Sequence, residues 1–411
     1  MSWKIVALDE LLEKVIDYRG KTPIKTDSGI RLVTAKVIKG GQVLSEEPQE
    51  YIAEGSYEDV MRRGIPQRKD ILITTEAPLG ELALWDSEEQ IALAQRVILL
   101  RPNQNVVDPG FLFYFMRTDD FQSQLHGRAT GTTVPGIKNP VLRAIPVRRP
   151  DLKTQKQLSH ALSTYDTLIA TNQRRIALLE EAARRLYREW FVHLRFPGHE
   201  QVPVRDGVPQ GWAIQPLASV AEVNARTIGA RDKPDALRYI DISSVSTGLI
   251  HSITPYAFAE APGRARRRVI HGDVIWSCVR PNRRSYALIW EPDENLVAST
   301  GFAVLSATAV PFSYLYFTST TDAFVGHLEQ NATGAAYPAV TAKIFEDAEI
   351  LVPDENVATA FDAMVLPQLE LMETLKLQNH HLAQARDLLL PKLMSGQLDV
   401  SNIPLPEEIA A

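Results

Sequence analysis

The side chains in this sequence best suited to chemistry are arginines and lysines standing beside threonine, asparagine and glycine in short punctuated segments. In the first half they are Arg19, Lys21 and Thr22, Arg62 and Arg63, Thr75, Arg128, Thr132, Thr133 and Lys138. In the second half they are Arg226, Arg264, Arg266, Arg267 and, around Pro281, Arg280, Asn282, Arg283 and Arg284. A guanidinium fork engages guanine or phosphate through two bonds at once, and neighbouring amides and hydroxyls complete base contacts. Any one of these residues has a plain reading as solvated basic surface. As a set, gathered in loops between the expected elements, they point to a polyanion.

Other constellations are poor. No G-x-x-x-x-G-K-[ST] phosphate loop and no H-E-x-x-H helix occurs. Asn139-Pro140-Val141-Leu142 matches only the start of the Asn-Pro-Pro-aromatic motif of adenine methyltransferases, and no glycine-rich cofactor turn follows a strand. Asp70 and Asp273 recur at corresponding places, each in a turn before an apolar run, where a carboxylate bonding nearby amides is the expected role. Cys278, the single cysteine, has no nearby base in sequence and excludes a disulfide framework or thiolate cluster. The neighbours His380 and His381 face different sides of a helix, which disfavours chelation.

The 411 residues exceed what one core usually organises. With 45% hydrophobic and 23% charged residues and no apolar run long enough to span a bilayer, the expectation is a cytoplasmic protein with no membrane contact. The net charge of −6 is unevenly spread. Residues 207–290 carry 11 basic and 6 acidic side chains, whereas 291–411 carry 4 and 17. A polyanion site belongs in the first three quarters, and the acidic remainder reads as solvated or partner-facing.

These residues must be positioned by a duplicated scaffold. Shifted by 203 positions, Thr130-Gly131 meets Thr333-Gly334, Pro135 meets Pro338, Asp119 meets Asp322, and Asp70–Thr74 meets Asp273–Ser277. Identity is densest at apolar, Gly and Pro positions, so the scaffold repeats while its surface differs. The Arg-rich loop 280–284 aligns with Thr75–Gly80, which suits two modules reading different sequences. Within each half the first ~150 residues read as mixed α/β. Leu8–Ile16 looks like an amphipathic helix, short β-rich runs follow, and Asp108-Pro109 offers a cap and a first-turn proline.

Each half then ends in a long helix. Residues 155–191 lack Gly and Pro and carry a seam through Leu158, Leu162, Ile169, Asn172, Ile176 and Trp190, a coiled-coil helix of ~55 Å at 1.5 Å per residue. The second seam runs through Phe361, Leu375, Asn379, Leu382 and Leu389, with Pro367 expected to kink it or begin a new helix. Two surface helices on separate cores would be the simpler arrangement, but so long and narrow a stripe suits a partner helix better. Antiparallel pairing of residue i with 551 − i puts Asn172 on Asn379, Ile176 on Leu375 and Ile169 on Leu382. Facing asparagines fix register, because either one opposite leucine leaves an amide unsatisfied.

The order of parts resembles the specificity (S) subunits of Type I restriction–modification enzymes. The resemblance rests on Pro209-Gln210-Gly211-Trp212 with Leu217, on Leu186-Tyr187-Arg188-Glu189-Trp190-Phe191, on the two Thr-Gly turns, and most specifically on Arg386–Leu398. One departure is that the usual Pro-x-x-x-Gln helix start survives only as Asp151…Gln155, with Ala358 replacing that glutamine in the second half. The resemblance implies a mixed α/β (α+β) fold with two pseudo-symmetric target-recognition domains joined by two long antiparallel coiled-coil helices. The expected parts are a recognition domain over 1–150, a helix over 151–195, a linker over 196–211, a second domain over 212–353, a second helix over 354–400 and a tail over 401–411.

It also implies a non-catalytic subunit that reads a split, asymmetric site in double-stranded DNA, the helices setting the unread gap. Two methyltransferase (M) subunits and endonuclease/translocase (R) subunits would be its partners. S-adenosylmethionine, ATP and Mg would reside in those subunits, with no cofactor or metal bound by this chain. The alternatives are a recognition protein of another DNA-defence or modification system, and a duplicated coiled-coil adaptor that binds no DNA.

Overall fold

The computed structural model describes residues 3–18, 23–44, 49–229, 232, 234–400 and 403. The chain divides into two compact units, one of Met1–Thr171 with Gln378–Ala411 and one of Asn172–Leu377.

In the first unit, an antiparallel sheet takes the order β1-β4-β2-β3, from β1 (Leu12–Asp17), β2 (Asp70–Thr75), β3 (Leu79–Trp85) and β4 (Val97–Pro102). Strand β2 is buried along its whole length, as its Ile-Leu-Ile-Thr run requires of a central strand. A second sheet sets Ile91–Leu93 parallel to Ile30–Val33. Helix α1 (Pro109–Met116) starts where Asp108 accepts the Phe111 amide at 2.8 Å, and all eight of its residues are buried. Helix α2 (Asp119–Gly127) follows, capped by Thr118.

The helix expected over Leu8–Ile16 is not formed. Leu8–Leu11 makes one 3-10 turn, and Leu12–Asp17 is the strand β1, pairing Val15 with Leu100 and Ile16 with Leu99. Consecutive β-branched Val15 and Ile16 favour the pleat, and the ladder satisfies backbone groups that a short surface helix would leave to water.

The second unit repeats the plan. Its antiparallel sheet has the order β5-β8-β6-β7, from β5 (Ala221–Val223), β6 (Val274–Ser277), β7 (Tyr286–Leu288) and β8 (Phe302–Ala307). Its second sheet again holds a parallel pair, Ala236–Ile240 with Leu296–Ser299, and adds the strand Ala265–Arg268 beside the latter. Helices α4 (Phe312–Ser319) and α5 (Asp322–Gln330) match α1 and α2.

The long helices are α3 (Leu152–Tyr187), prolonged by a wider π turn over Arg188–Val192, and α6 (Glu355–Met394). Each unit holds a stretch of both, packed antiparallel. In the first, Leu158 and Leu162 share a buried cluster with Leu390, Leu393 and Met394, and Arg386 donates to Asp166 at 2.5 Å. In the second, the Trp190 and Phe361 rings lie 6.0 Å apart, as the i, 551 − i rule requires, and Val365, Leu369 and Met372 pack with Ile176 and Leu179. Helix α6 neither stops nor restarts at Pro367. Buried Val365 (0% exposed) and Leu369 (3%) flank the proline, so apolar packing holds the turn that lacks a backbone bond.

Among the described residues, no helix is long and apolar enough to cross a membrane.

Candidate nucleic-acid interface

In each unit a hairpin leans against the end of the central strand. In the first, Thr130 and Gly136 exchange two backbone hydrogen bonds of 2.9 Å, and the Ile137 amide donates to the Thr75 carbonyl at 3.1 Å. In the second, Thr333 and Ala339 exchange bonds of 2.9 and 2.8 Å, and the Val340 amide donates to the Cys278 carbonyl at 2.8 Å. The turn glycines are required. Gly131 has φ +110° and a Cβ there would stand 2.6 Å from the Val134 carbonyl oxygen, while Gly334 has φ +100° and 3.0 Å to that of Tyr337. The hairpins carry exposed tips in a polar setting, Val134 (47% exposed) in the first and Tyr337 (68%) in the second.

Around the first hairpin, Thr75, Glu76, Gln95, Arg96, Thr130 and Lys138 line a cleft of about 340 Å³. Thr75 is buried and donates to the Arg96 carbonyl at 3.3 Å, and Arg96 pairs with Glu76 at 2.8 Å. Thr132, Thr133 and Lys138 are exposed beside it. Arg128 is exposed at the end of α2 and donates to Gln124 at 3.1 Å. Arg62 is exposed, and Arg63 donates to the Asp17 carbonyl. Arg19, Lys21 and Thr22 lie outside the described residues.

Around the second hairpin, residues 280–284 form a tight loop whose ends adopt left-handed backbone, φ +53° at Arg280 and +51° at Arg284. Such non-glycine conformations cost about 1–2 kcal/mol each and persist only where surroundings hold them. Here the Arg280 amide donates to the Pro338 carbonyl at 2.7 Å, its guanidinium lies 4.5 Å from the Tyr337 ring centre, and Arg284 donates to Asp322 at 2.5 Å. Asn282 and Arg283 are exposed.

The remaining arginines are less free. Arg226 donates to both Asp273 oxygens at 2.8 and 2.9 Å and to Ser306 at 2.7 Å. Arg266 and Arg267 stand on the strand Ala265–Arg268, not in a loop as expected, because that segment pairs with Val297–Ser299. Arg266 covers the Phe258 ring at 5.4 Å and Arg267 donates to Thr227 at 3.2 Å. Arg264 precedes that strand and is exposed.

Asp70 and Asp273 do cap turns, accepting the Gln67 and Ile270 amides at 2.7 and 2.8 Å. Sequence reasoning missed their main partner. Arg101 grips Asp70 through two bonds of 2.9 and 2.7 Å, and this contact holds its guanidinium above the usual range. In the second unit the residue facing Asp273 across the sheet is Ser306, and Arg226 brings the charge from another segment. Cys278 is pushed up to about 11 by burial, so its thiol stays protonated near neutrality. His380 and His381 have ring centres 6.0 Å apart, and no group of three or more His, Cys, Asp or Glu side chains is placed to hold a metal among the described residues.

Of the helix-seam residues, Ile169 and Leu382 are half-buried in the first unit, and Leu375 is buried and Ile176 half-buried in the second. Asn172 is buried, and the Asn379 side-chain oxygen is buried without a hydrogen-bond partner. A further 640 Å³ cavity in the second unit lies against α3, where the Arg184 guanidinium meets Glu180, Thr320 and the Tyr286 hydroxyl. Its signal in sequence was slight, a single arginine within a charged helix.

Two heads, each with an antiparallel sheet and a matched hairpin and each holding a stretch of both long helices, define a duplicated fold. Residues 1–181 match the family model described as the Type I restriction modification DNA specificity domain. Over most of its length the chain is similar to Type I specificity subunits. It is 21% identical to the Type I restriction enzyme MjaIX specificity subunit of Methanocaldococcus jannaschii over 346 residues, 81% of this chain and 78% of that one. It is also 21% identical to the MjaVIII specificity subunit of the same organism, over 90% of this chain and 92% of that one. The fold is shared with the crystal structure of the Type-I restriction-modification system S subunit from M. genitalium, at TM-score 0.54 and 14% identity over 96% of each chain.

Proposed function

We propose that this chain is the DNA-reading subunit of a Type I restriction–modification complex, addressing a bipartite, asymmetric site with one head per half. The observation that supports this best is the pair of hairpin surfaces: the same scaffold presents Val134, Thr132, Thr133 and Lys138 in one unit and Tyr337, Arg280 and Arg283 in the other. Matched frames with unlike side chains suit two different base sequences. On this reading the protein contributes recognition and no bond-making step. Two M subunits would dock along the long helices, R subunits would join them, and S-adenosylmethionine, ATP and Mg would act in those partners. The acidic 291–411 segment supports docking to a basic partner surface.

Within the heads, Lys138, Thr132, Thr133, Arg128, Arg264 and Arg283 are proposed as phosphate or base contacts because they are exposed. Arg226 is proposed as a support, since its charge is spent on Asp273. The test is a gel-shift of the chain co-expressed with its methyltransferase subunits on duplex DNA at graded salt. Binding should weaken linearly in log–log form, with a slope of several units at roughly −0.9 per phosphate neutralised. Binding indifferent to salt, or absent even with the partner, would favour a protein–protein adaptor.

A further inference from the structure

We infer that Tyr337 is a positioning residue for base readout by the second head, holding Arg280 so that its guanidinium reads one guanine of that head's half-site. This rests on the DNA-reading proposal above and assigns a base to it.

Tyr337, at the hairpin tip, is two-thirds exposed. What it carries is a cation. The Arg280 guanidinium lies 4.5 Å from its ring centre, and one Arg280 nitrogen donates to the neighbouring Ala336 carbonyl at 3.3 Å. The Arg280 amide is fastened to Pro338 at 2.7 Å, so the hairpin fixes both ends of this residue, backbone and head group. Among the described residues no carboxylate stands within ion-pair distance of Arg280. Its loop neighbour Arg284 is paired with Asp322, and in the other head Arg96 is paired with Glu76.

A guanidinium that is uncompensated, stacked and tied at the backbone has little rotamer freedom left to lose on binding. That is the requirement for reading guanine O6 and N7 through two parallel bonds rather than merely neutralising phosphate. Arg283, exposed on the same loop and making no side-chain hydrogen bond or ion pair among the described residues, lacks this restraint and suits phosphate. The first head offers a control within the same molecule. At the shift of 203 residues Ala77 replaces Arg280, with the same left-handed backbone (φ +46°), and Val134 replaces Tyr337. The frame for the reader is present there, but the reader and its plate are absent. A guanine contact at that place therefore belongs to the second head alone.

The test selects bound duplexes from a pool randomised across the half-sites, using the chain co-purified with its methyltransferase subunits. Wild type should prefer guanine at a position that Arg280→Lys and Tyr337→Leu each relax by about tenfold, leaving the other positions and the whole other half-site unchanged. Tyr337→Phe, which keeps the ring face, should retain the preference. Arg280→Lys keeps the charge and the fold, so it decides the matter even if Tyr337→Leu is unstable. The inference is overturned if Arg280→Lys keeps every base preference, or if both variants weaken all sequences equally with a shallower salt slope. A wild-type complex that selects no sequence at all would instead remove the DNA-reading proposal beneath it.

Discussion

At the scale of residues, the buried ion pairs and the exposed arginines divide the work of the heads. Asp273 is almost fully buried, so Asp273→Asn would strand Arg226 and should cost about 2–4 kcal/mol in urea unfolding. The lower part of the buried-pair range applies because a third of the Arg226 side chain reaches water. Arg283→Ala, by contrast, should leave stability within about 0.5 kcal/mol and, as the proposed phosphate contact, weaken binding to all duplex sequences alike with a salt slope shallower by about one. An unchanged affinity and salt slope would remove Arg283 from the contact surface. Cys278 should resist a maleimide or disulfide reagent at pH 8 in the folded protein, since burial favours its neutral form, and react once denaturant opens the head. Mass spectrometry of the labelled protein reads this directly; fast labelling of native protein would contradict it. The role of Asp70 and Asp273 was legible in sequence as far as the capped turn. Their arginines were not, because Arg101 lies 31 residues away and is brought in by sheet register, while Arg226 lies 47 away on a segment outside the strands.

At the scale of elements, local chemistry announced the pieces that cap or cross the core. Asp108-Pro109 gave the start of α1 from two residues, and the apolar run of β2 gave a central strand. Leu8–Ile16 misled because its apolar spacing fits two periods, and the choice was made by a partner strand distant in sequence. The Arg-rich strand Ala265–Arg268 misled for the same reason: charge suggested loop, and pairing with Val297–Ser299 made it sheet. The helix seam allows a sharp comparison. Phe361 is fully buried among Tyr187, Trp190, Phe191 and Phe317, so Phe361→Ala should cost about 3–5 kcal/mol by denaturant melt. Leu388, on the same helix but 69% exposed, should tolerate alanine within about 0.5 kcal/mol. Similar losses at both positions would mean that the stripe is not the packed face.

At the scale of the whole molecule, duplication was the most legible property, because glycine, proline and aspartate at fixed places in the frame survive while surface residues diverge. The hairpin glycines Gly131 and Gly334 are matched for a steric reason, whereas Val134 and Tyr337 between them are free to differ. The antiparallel rule read from the seam, i with 551 − i, already set the start of α3 against the end of α6. The first unit takes the start of α3 and the end of α6, so Leu390, Leu393, Met394 and Val400 cover Leu158, Leu162 and α1. A ribosome therefore delivers the opening 171 residues long before the segment that shields them. During that interval the nascent head exposes a greasy flank, and a nonsense codon near position 378 should yield a product that is bound by chaperones or degraded rather than a working half-protein.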